Sequence, residues 1–555
     1  MSNMTRRGFV KGAALAPLAF APFTLGQQSA TADRFDIVVA GAGHNSLVAA
    51  AYLAKAGYRC VALEGRPTVG GGVKTAEVVL RGFKEDLCSS NHSGINANPL
   101  LRNDELKLRD YGLEYIDPDP IMHIQWADGS YLRQWRDLDR TCQEIAKFSE
   151  RDAATYRRML SEYESVLPIL ESGRFAPIGS VKPLNEQLAS HPHGKVWQRR
   201  LAMSGYDLVR EIYEDEHLRT FVLALGHLGA VPPGDPMTGG QAFAMAAQQH
   251  GGRPIPKGGS GVLTQVLARY IEAHNGVILT NKPVAQLIIE GGKCVGVECG
   301  DGSRYHAEKA VLSTIHVKHL VEMAPKNCWG EDFLAGMELF QPEHAMFSAH
   351  YATTEPPKYP VTGGTLSPCE SVLLANPERT LRFNYDNASG EPVMVDPPLQ
   401  IVCPTVADPS RAPAGMHTLK IEAWQPYSLK QGPRHWDEIK DRVAENNLNY
   451  LRKVSPNLTD DKFLGKFIES PLDIERMNPA MWRGSTHGGA QDAAQSGPMR
   501  PVPGWAQYRM PIPGLYQTGS TTHPGGSVSG APGRNAAIVM LRDFGTSLEE
   551  VMKKA

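Results

Sequence analysis

The run FDIVVA, followed by GAGHNS and then LVAAAYLAKAGYRCVALE, constrains this chain more than any other stretch. An apolar strand ending at Ala40 passes into a tight turn. A helical pattern follows, and a second apolar strand ends at Glu64. Gly41 permits the turn, and Gly43 removes the side chain where the backbone must approach a pyrophosphate closely. His44, Asn45 and Ser46 open the helix, whose N-terminal amides and positive dipole end point at the phosphates. Ser46 stands where the usual fingerprint has its third glycine. Its small side chain shifts helix–strand packing slightly without removing the site. Glu64 is placed to accept hydrogen bonds from ribose hydroxyls. The stretch predicts a nucleotide-binding unit with a strand over 35–40, a helix over 45–55 and a strand over 60–64.

The same character returns twice. From about 250 to 325, GVLTQVLARYIEAHNG reads as a helix, and VILT, VAQLIIE, CVGVEC and AVLST read as strands. From about 500 to 555, the strand GLYQTG leads through a glycine-rich loop to the helix RNAAIVMLRDF. Between these blocks, Tyr156, Met159, Leu160, Tyr163 and Leu167 have helical spacing, as do Trp436, Ile439, Val443 and Leu451. Core packing accounts for both helical faces, with a membrane-contacting or channel-forming face as the alternative. The pattern predicts an α/β (α+β) fold. A Rossmann-like domain is assembled from residues 33–110, 250–325 and 500–555, and an inserted substrate domain from 111–249 and 326–499.

With 57 basic against 59 acidic residues the net charge is -2, which argues against a dedicated nucleic-acid surface. Eight cysteines with no C-x-x-C read as buried free thiols rather than a disulfide framework. The closest pair, Cys294 and Cys299, should face opposite sides of one strand. No residues are assigned to a metal, since there is no H-E-x-x-H, and no Ser-His-Asp arrangement is readable. Near the N-terminus, Thr5, Arg6 and Arg7 precede Phe9, Lys11 and a weakly apolar run interrupted by Pro17 and Pro22. Ala30-Thr31-Ala32 offers a small-residue cleavage site. Residues 1–32 thus resemble a bacterial twin-arginine signal. They predict recognition by that export machinery and a periplasmic destination, reached after folding around a cofactor in the cytoplasm.

RPTVGGGVKT follows Glu64 directly. Gly70 and Gly71 remove side chains where a second loop passes over the pyrophosphate, and Arg66 pairs with phosphate or braces the loop. This R-x-x-x-G-G run resembles the continuation found in two-dinucleotide-binding-domain flavoproteins. The segments GAGHNSLVAAAYLAKAG, PKGGSGVLTQVLARYIEAHNGVILTNKPVAQLI, RPVPGWAQYRMPIPG and PIPGLYQTGSTTHPGGSVSGAPGRNAA extend the likeness. Together they resemble the phytoene desaturase-like flavoproteins, most nearly the branch named after pyridine nucleotide-disulfide oxidoreductase domain-containing protein 2. These motifs cover the three α/β blocks, and the intervening segments match only diffusely.

The resemblance implies FAD bound in an extended form, its adenosine end at Gly41, Gly43 and Glu64 and its adenine near the backbone of Val284. Gly519 and Ser520 would approach the ribityl–phosphate portion, Ser520 standing where many relatives carry an acidic residue. Gly525, Gly526, Gly530, Gly533, Arg534 and Asn535 would run past the flavin ring into the last helix. Backbone N–H groups there can stabilise charge on the reduced ring. The implied activity is hydride abstraction from a C–H bond of a hydrophobic isoprenoid or lipid onto flavin N5, of desaturase or oxidase type, with oxygen or a quinone as acceptor. A redox-neutral isomerase or saturase, or a non-catalytic lipid-binding escort protein, is the alternative. As acid–base groups, His523 in the flavin-adjacent loop ranks first and His487 in RGSTHGG second. His44 reads as lining the phosphate turn and His316 as following a strand end.

Overall fold

The computed structural model describes residues 34–228, 231–376, 379–380 and 387–553. The expected export signal lies outside the described residues. Phe35–Ala40 is a strand apolar at every position but Asp36, because it is buried on both faces of a parallel sheet from Ile37 onward. Its Val38 pairs with Val311 on one side and Val61 on the other. Across the parallel part, the order is Leu515–Gln517, Arg304–Ser313, Phe35–Ala40, Cys60–Leu63 and Val277–Leu279.

Arg304–Ser313 serves twice. Its first residues pair antiparallel with Lys293–Cys299, which pairs in turn with Val284–Glu290, and its later residues enter the parallel sheet. It is longer than AVLST predicts because its first half, RYHAEK, alternates toward solvent and has no continuous apolar run. The helix His44–Lys55 packs against Val262–Ala273 and Ala531–Asp543. Leu47, Leu53, Leu267 and Met540 are buried where these helices meet the sheet, each contributing about 1.5–3 kcal/mol by leaving water.

A second sheet orders its strands Phe463–Glu469, Ala345–Thr353, His417–Gln425, Leu399–Val402, Glu370–Leu374, Met122–Trp126 and Tyr131–Gln134. Its strands come from the two stretches between the blocks that build the first sheet. The apolar faces expected on two helices are core faces. In Glu150–Arg174, Tyr156, Met159 and Val166 are buried, and in Trp436–Arg452, Trp436, Ile439, Val443 and Leu451 are. Among the described residues, no helix is long and apolar enough to cross a membrane.

All eight cysteines are free. Cys294 and Cys299 are buried in the same apolar cluster, contrary to the expectation of opposite faces. The register slips between the pairs Ile288–Gly296 and Ile289–Cys294, so strict alternation fails across Val295.

Candidate active site

A cleft of about 770 Å³ opens beyond the carboxyl ends of the parallel strands, where ligands bind in sheets of this kind. Gly41 follows Phe35–Ala40, Glu64 follows Cys60–Leu63, Thr314 follows Arg304–Ser313, and Gly519 lies just past Leu515–Gln517. Thr314 packs among these turns. A Cβ on Gly41 (φ +93) would lie 2.7 Å from Thr314 Cγ2, and one on Gly519 (φ +100) 2.6 Å from Thr314 Oγ1. Gly43 differs, since the nearest atoms to its Cβ position are 3.7 Å away. The Gly70 amide donates to the Ala42 carbonyl at 2.8 Å, laying the second glycine run onto the first. Gly71 lines the cleft, whereas a Cβ on Gly70 would point into the Val73 carbonyl.

Glu64 is buried and braces both loops. Its Oε2 accepts from the Ala42 amide, and its Oε1 accepts from the Arg66 amide and Nε, each at 3.1 Å. Arg66 also donates to the Met477 carbonyl at 3.2 Å, so of the two expected roles it fills the bracing one. The Ser46 hydroxyl sits 2.7 Å from the Gly41 carbonyl oxygen and 2.9 Å from that of Gly43, stitching the turn where a third glycine would leave space. His44 and Asn45 line the cleft, as does Val284. His44 Nε2, Asn45 Oδ1 and His316 Nε2 are buried with no partner at full hydrogen-bonding geometry, and buried polar atoms of this kind suit a polar ligand in the cleft. Burial lowers His44 to about 4 against a bond to the Ser527 backbone, so its ring is neutral near pH 7.

From the far end of the chain, Gly519, Ser520, Gly526, Ser527 and Val528 complete the lining. Gly526 is pressed against the His487 backbone, where an added Cβ would lie 2.3 Å from Cα. Ser527 holds φ +85, a left-handed conformation uncommon outside glycine. The remaining positions expected along the flavin ring lie elsewhere. Gly525 closes a turn onto the Thr522 carbonyl, and Gly530 caps the last helix against Ile95. Gly533 meets the Asn45 carbonyl across a tight helix–helix contact. Arg534 forks onto Glu105 at 2.8 and 2.9 Å, and Asn535 donates to the Arg174 and Ala176 carbonyls. The helix begins at Ala531, and its first turn packs on the His44–Lys55 helix instead of facing the cleft.

His523 is likewise displaced from its expected role. It does not line the cleft but is buried with Nε2 2.9 Å from the Gly173 carbonyl oxygen, and burial lowers its pKa. His487 does line the cleft. Its Nδ1 lies 3.1 Å from Oε2 of the fully buried Glu343 side chain. Glu343 Oε1 accepts from the Ser485 hydroxyl at 2.9 Å and the His487 amide at 2.6 Å. Burial opposes charge on His487, but the Glu343 carboxylate outweighs it and raises the pKa. A histidine that lines a cleft and is held by a buried carboxylate has the geometry that proton transfer requires.

A match to the family described as "Flavin containing amine oxidoreductase" spans residues 47–537. The chain belongs to this family. It is 27% identical to pyridine nucleotide-disulfide oxidoreductase domain-containing protein 2 of Rattus norvegicus, over 92% of this chain and 94% of that one. It is 24% identical to the lycopene-forming phytoene desaturase of Pseudescherichia vulneris, over 91% and 99%. An oxidoreductase from Methanosarcina mazei shares the fold with a TM-score of 0.55 at 18% identity, over 92% of this chain and 99% of that one. The chain is an FAD-dependent oxidoreductase, and the glycine cradle, Glu64 and the unpartnered cleft atoms fit that cofactor.

Arg500, fully buried, organises the flavoprotein's second wall. Its guanidinium donates to the carbonyls of Ser520 (2.6 and 2.9 Å), Ala490 (2.7 Å) and His487 (3.0 Å). It thereby fixes the loop carrying His487 against the loop carrying Gly519. Burial lowers its pKa to about 10 despite Glu343 and Asp492, which leaves it charged at neutral pH. Sequence reasoning passed over Arg500, Thr314 and Glu343. Arg500 opens a recognisable segment, RPVPG, and Thr314 ends a legible strand. Glu343, in QPEHAMF, carries no local signal.

Proposed function

We propose that the chain removes hydride from a C–H bond of a mainly apolar substrate, as a desaturase or oxidase. When bound, FAD supplies the hydride acceptor at N5. The observation that carries this reading is the continuity of the cleft. From the glycine loops it runs on to Leu225, Leu228, Met346, Trp424 and Met481, with His487 beside them. That apolar wall keeps water from the reacting bond. The His487 ring, stacked 6.1 Å from Trp424, is held by Glu343 so that it takes a proton from the substrate. The test is anaerobic bleaching of the flavin against isoprenoids, lipids, amines and aromatic alcohols. Isoprenoids or lipids should bleach it, and bleaching by amines alone would overturn the proposal. Recolouring in air marks an oxidase, and absence of recolouring marks a quinone-type acceptor.

His487→Asn is expected to lower kcat by about 10²–10⁴-fold. A base works only when deprotonated, so activity should fall as pH drops through the raised His487 pKa. Glu343→Gln removes the raising charge, so the acid limb should move to lower pH. A pH–rate profile unchanged by Glu343→Gln would leave His487 a structural residue.

We also propose export by the twin-arginine route, supported by Arg6, Arg7 and the small-residue site at 30–32. Arg6→Lys/Arg7→Lys should retain folded, flavin-bearing protein in the cytoplasm. Undiminished periplasmic protein in fractionated cells would contradict it.

A further inference from the structure

The strands Leu399–Val402 and His417–Gln425 place Gln400 directly opposite Glu422, and both line the cleft. Trp424, two residues along, shares that face and pairs with Met346. Apolar wall and polar patch are thus neighbours on one sheet surface. Arg253 reaches the same patch. Its Nε donates to Glu370 Oε2 at 2.8 Å, and its Nη2 and the Gln400 amide both donate to Glu370 Oε1. Lys420 Nζ sits 2.9 Å from Glu422 Oε1 and donates to the Cys88 carbonyl at 2.6 Å.

Each charge on this wall therefore has its counter-ion. Arg253 has Glu370, Glu422 has Lys420, and His487 has Glu343. What remains is a set of open hydrogen-bonding atoms. Among the described residues, Arg253 Nη1 and Glu422 Oε2 make no hydrogen bond. The hydroxyl of Ser90, which is 5% exposed and also lines the cleft, is buried without a partner. A pure hydrocarbon filling this space would strip water from these atoms and return nothing. A carboxylate or an ammonium group would enter with no unpaired counter-ion to meet it. A hydroxyl satisfies the site, since it can donate to Glu422 and accept from Arg253 or Ser90.

We infer that the substrate is a neutral, hydroxyl-bearing apolar molecule, its hydroxyl held by Arg253, Glu422 and Ser90 while its carbon body lies on Met346 and Trp424. This rests on the proposed reading of the cleft as the substrate site.

The test titrates the holoenzyme with four molecules of one carbon skeleton, namely myrcene, geraniol, geranate and geranylamine, following the flavin absorption spectrum. Geraniol should bind about tenfold or more tighter than each of the others, the worth of one well-made hydrogen bond to a charged group. Lys420→Met/Glu422→Leu removes a charge pair together and so leaves no buried charge alone. It should erase geraniol's advantage over myrcene. If that variant does not retain flavin, the wild-type ranking decides. Tighter binding of myrcene, geranate or geranylamine, equal binding of all four, or no spectral response to any of them would overturn the inference. Protein that carries no flavin would instead sink the reading of the cleft itself.

Discussion

Gly43→Val is expected to fold normally and to lose FAD affinity by roughly 100-fold or more. Gly43 holds φ -70 and ψ 162, an extended conformation open to any residue. The nearest atoms to its Cβ position are 3.7 Å away, so the protein itself leaves room for a side chain. That room is the approach to the helix N-terminus at His44, where a diphosphate would sit. A valine there occupies the ligand's space. Overpacking of this kind costs about 1–3 kcal/mol or more, and about 2.7 kcal/mol is 100-fold in Kd. The apoprotein's melting temperature and the FAD Kd, measured together, separate the two effects. Unchanged FAD affinity would mean that the diphosphate does not pass Gly43. Gly41→Val cannot make this distinction, since φ +93 and the contact with Thr314 strain the fold as well.

Arg500→Met should be the most destabilising single substitution considered, by about 3–5 kcal/mol. The guanidinium satisfies the carbonyls of His487, Ala490, Gln495 and Ser520. Methionine fills part of the volume but donates nothing, so the His487, Gln495 and Ser520 carbonyls lose this donor, and Ala490 keeps the Gln495 side-chain amide. Glu343 and Asp492 also lose a nearby positive charge. The loop that carries His487 should loosen first, because Arg500 fastens it to Ser520. Thermal unfolding should show a large drop in Tm together with faster flavin loss. A drop of only a degree or two, with flavin retained, would mean that this network adds little to the site.

The first strand, turn and helix were legible because they are local. Apolar runs with two glycines at the correct interval specify them, and the structure places the strand at Phe35–Ala40 as expected. The three-part origin of the first sheet was legible for the same reason, each block carrying its own periodicity. Half of the site was not. Thr314 and Glu343 act on partners far away in sequence, and Arg500 on carbonyls across irregular turns, and no short pattern records such contacts. His523, Arg534 and Asn535 misled because they adjoin a flavin-like loop. Proximity along the chain says nothing about which side of a turn a residue faces. Arg534 turned toward Glu105 and His523 toward Gly173. The polar patch of Arg253, Gln400 and Glu422 was equally hidden, since its members come from three separate segments.

The loops around Gly41 to Gly71 and Gly519 to Val528 are expected to enclose one FAD between them. The most direct measurement is the visible absorption spectrum and FAD content of the purified, folded protein. The expected result is a yellow protein with one FAD per chain, which loses colour on cofactor removal and regains it on adding FAD. A folded protein that is colourless and takes up no FAD would contradict it.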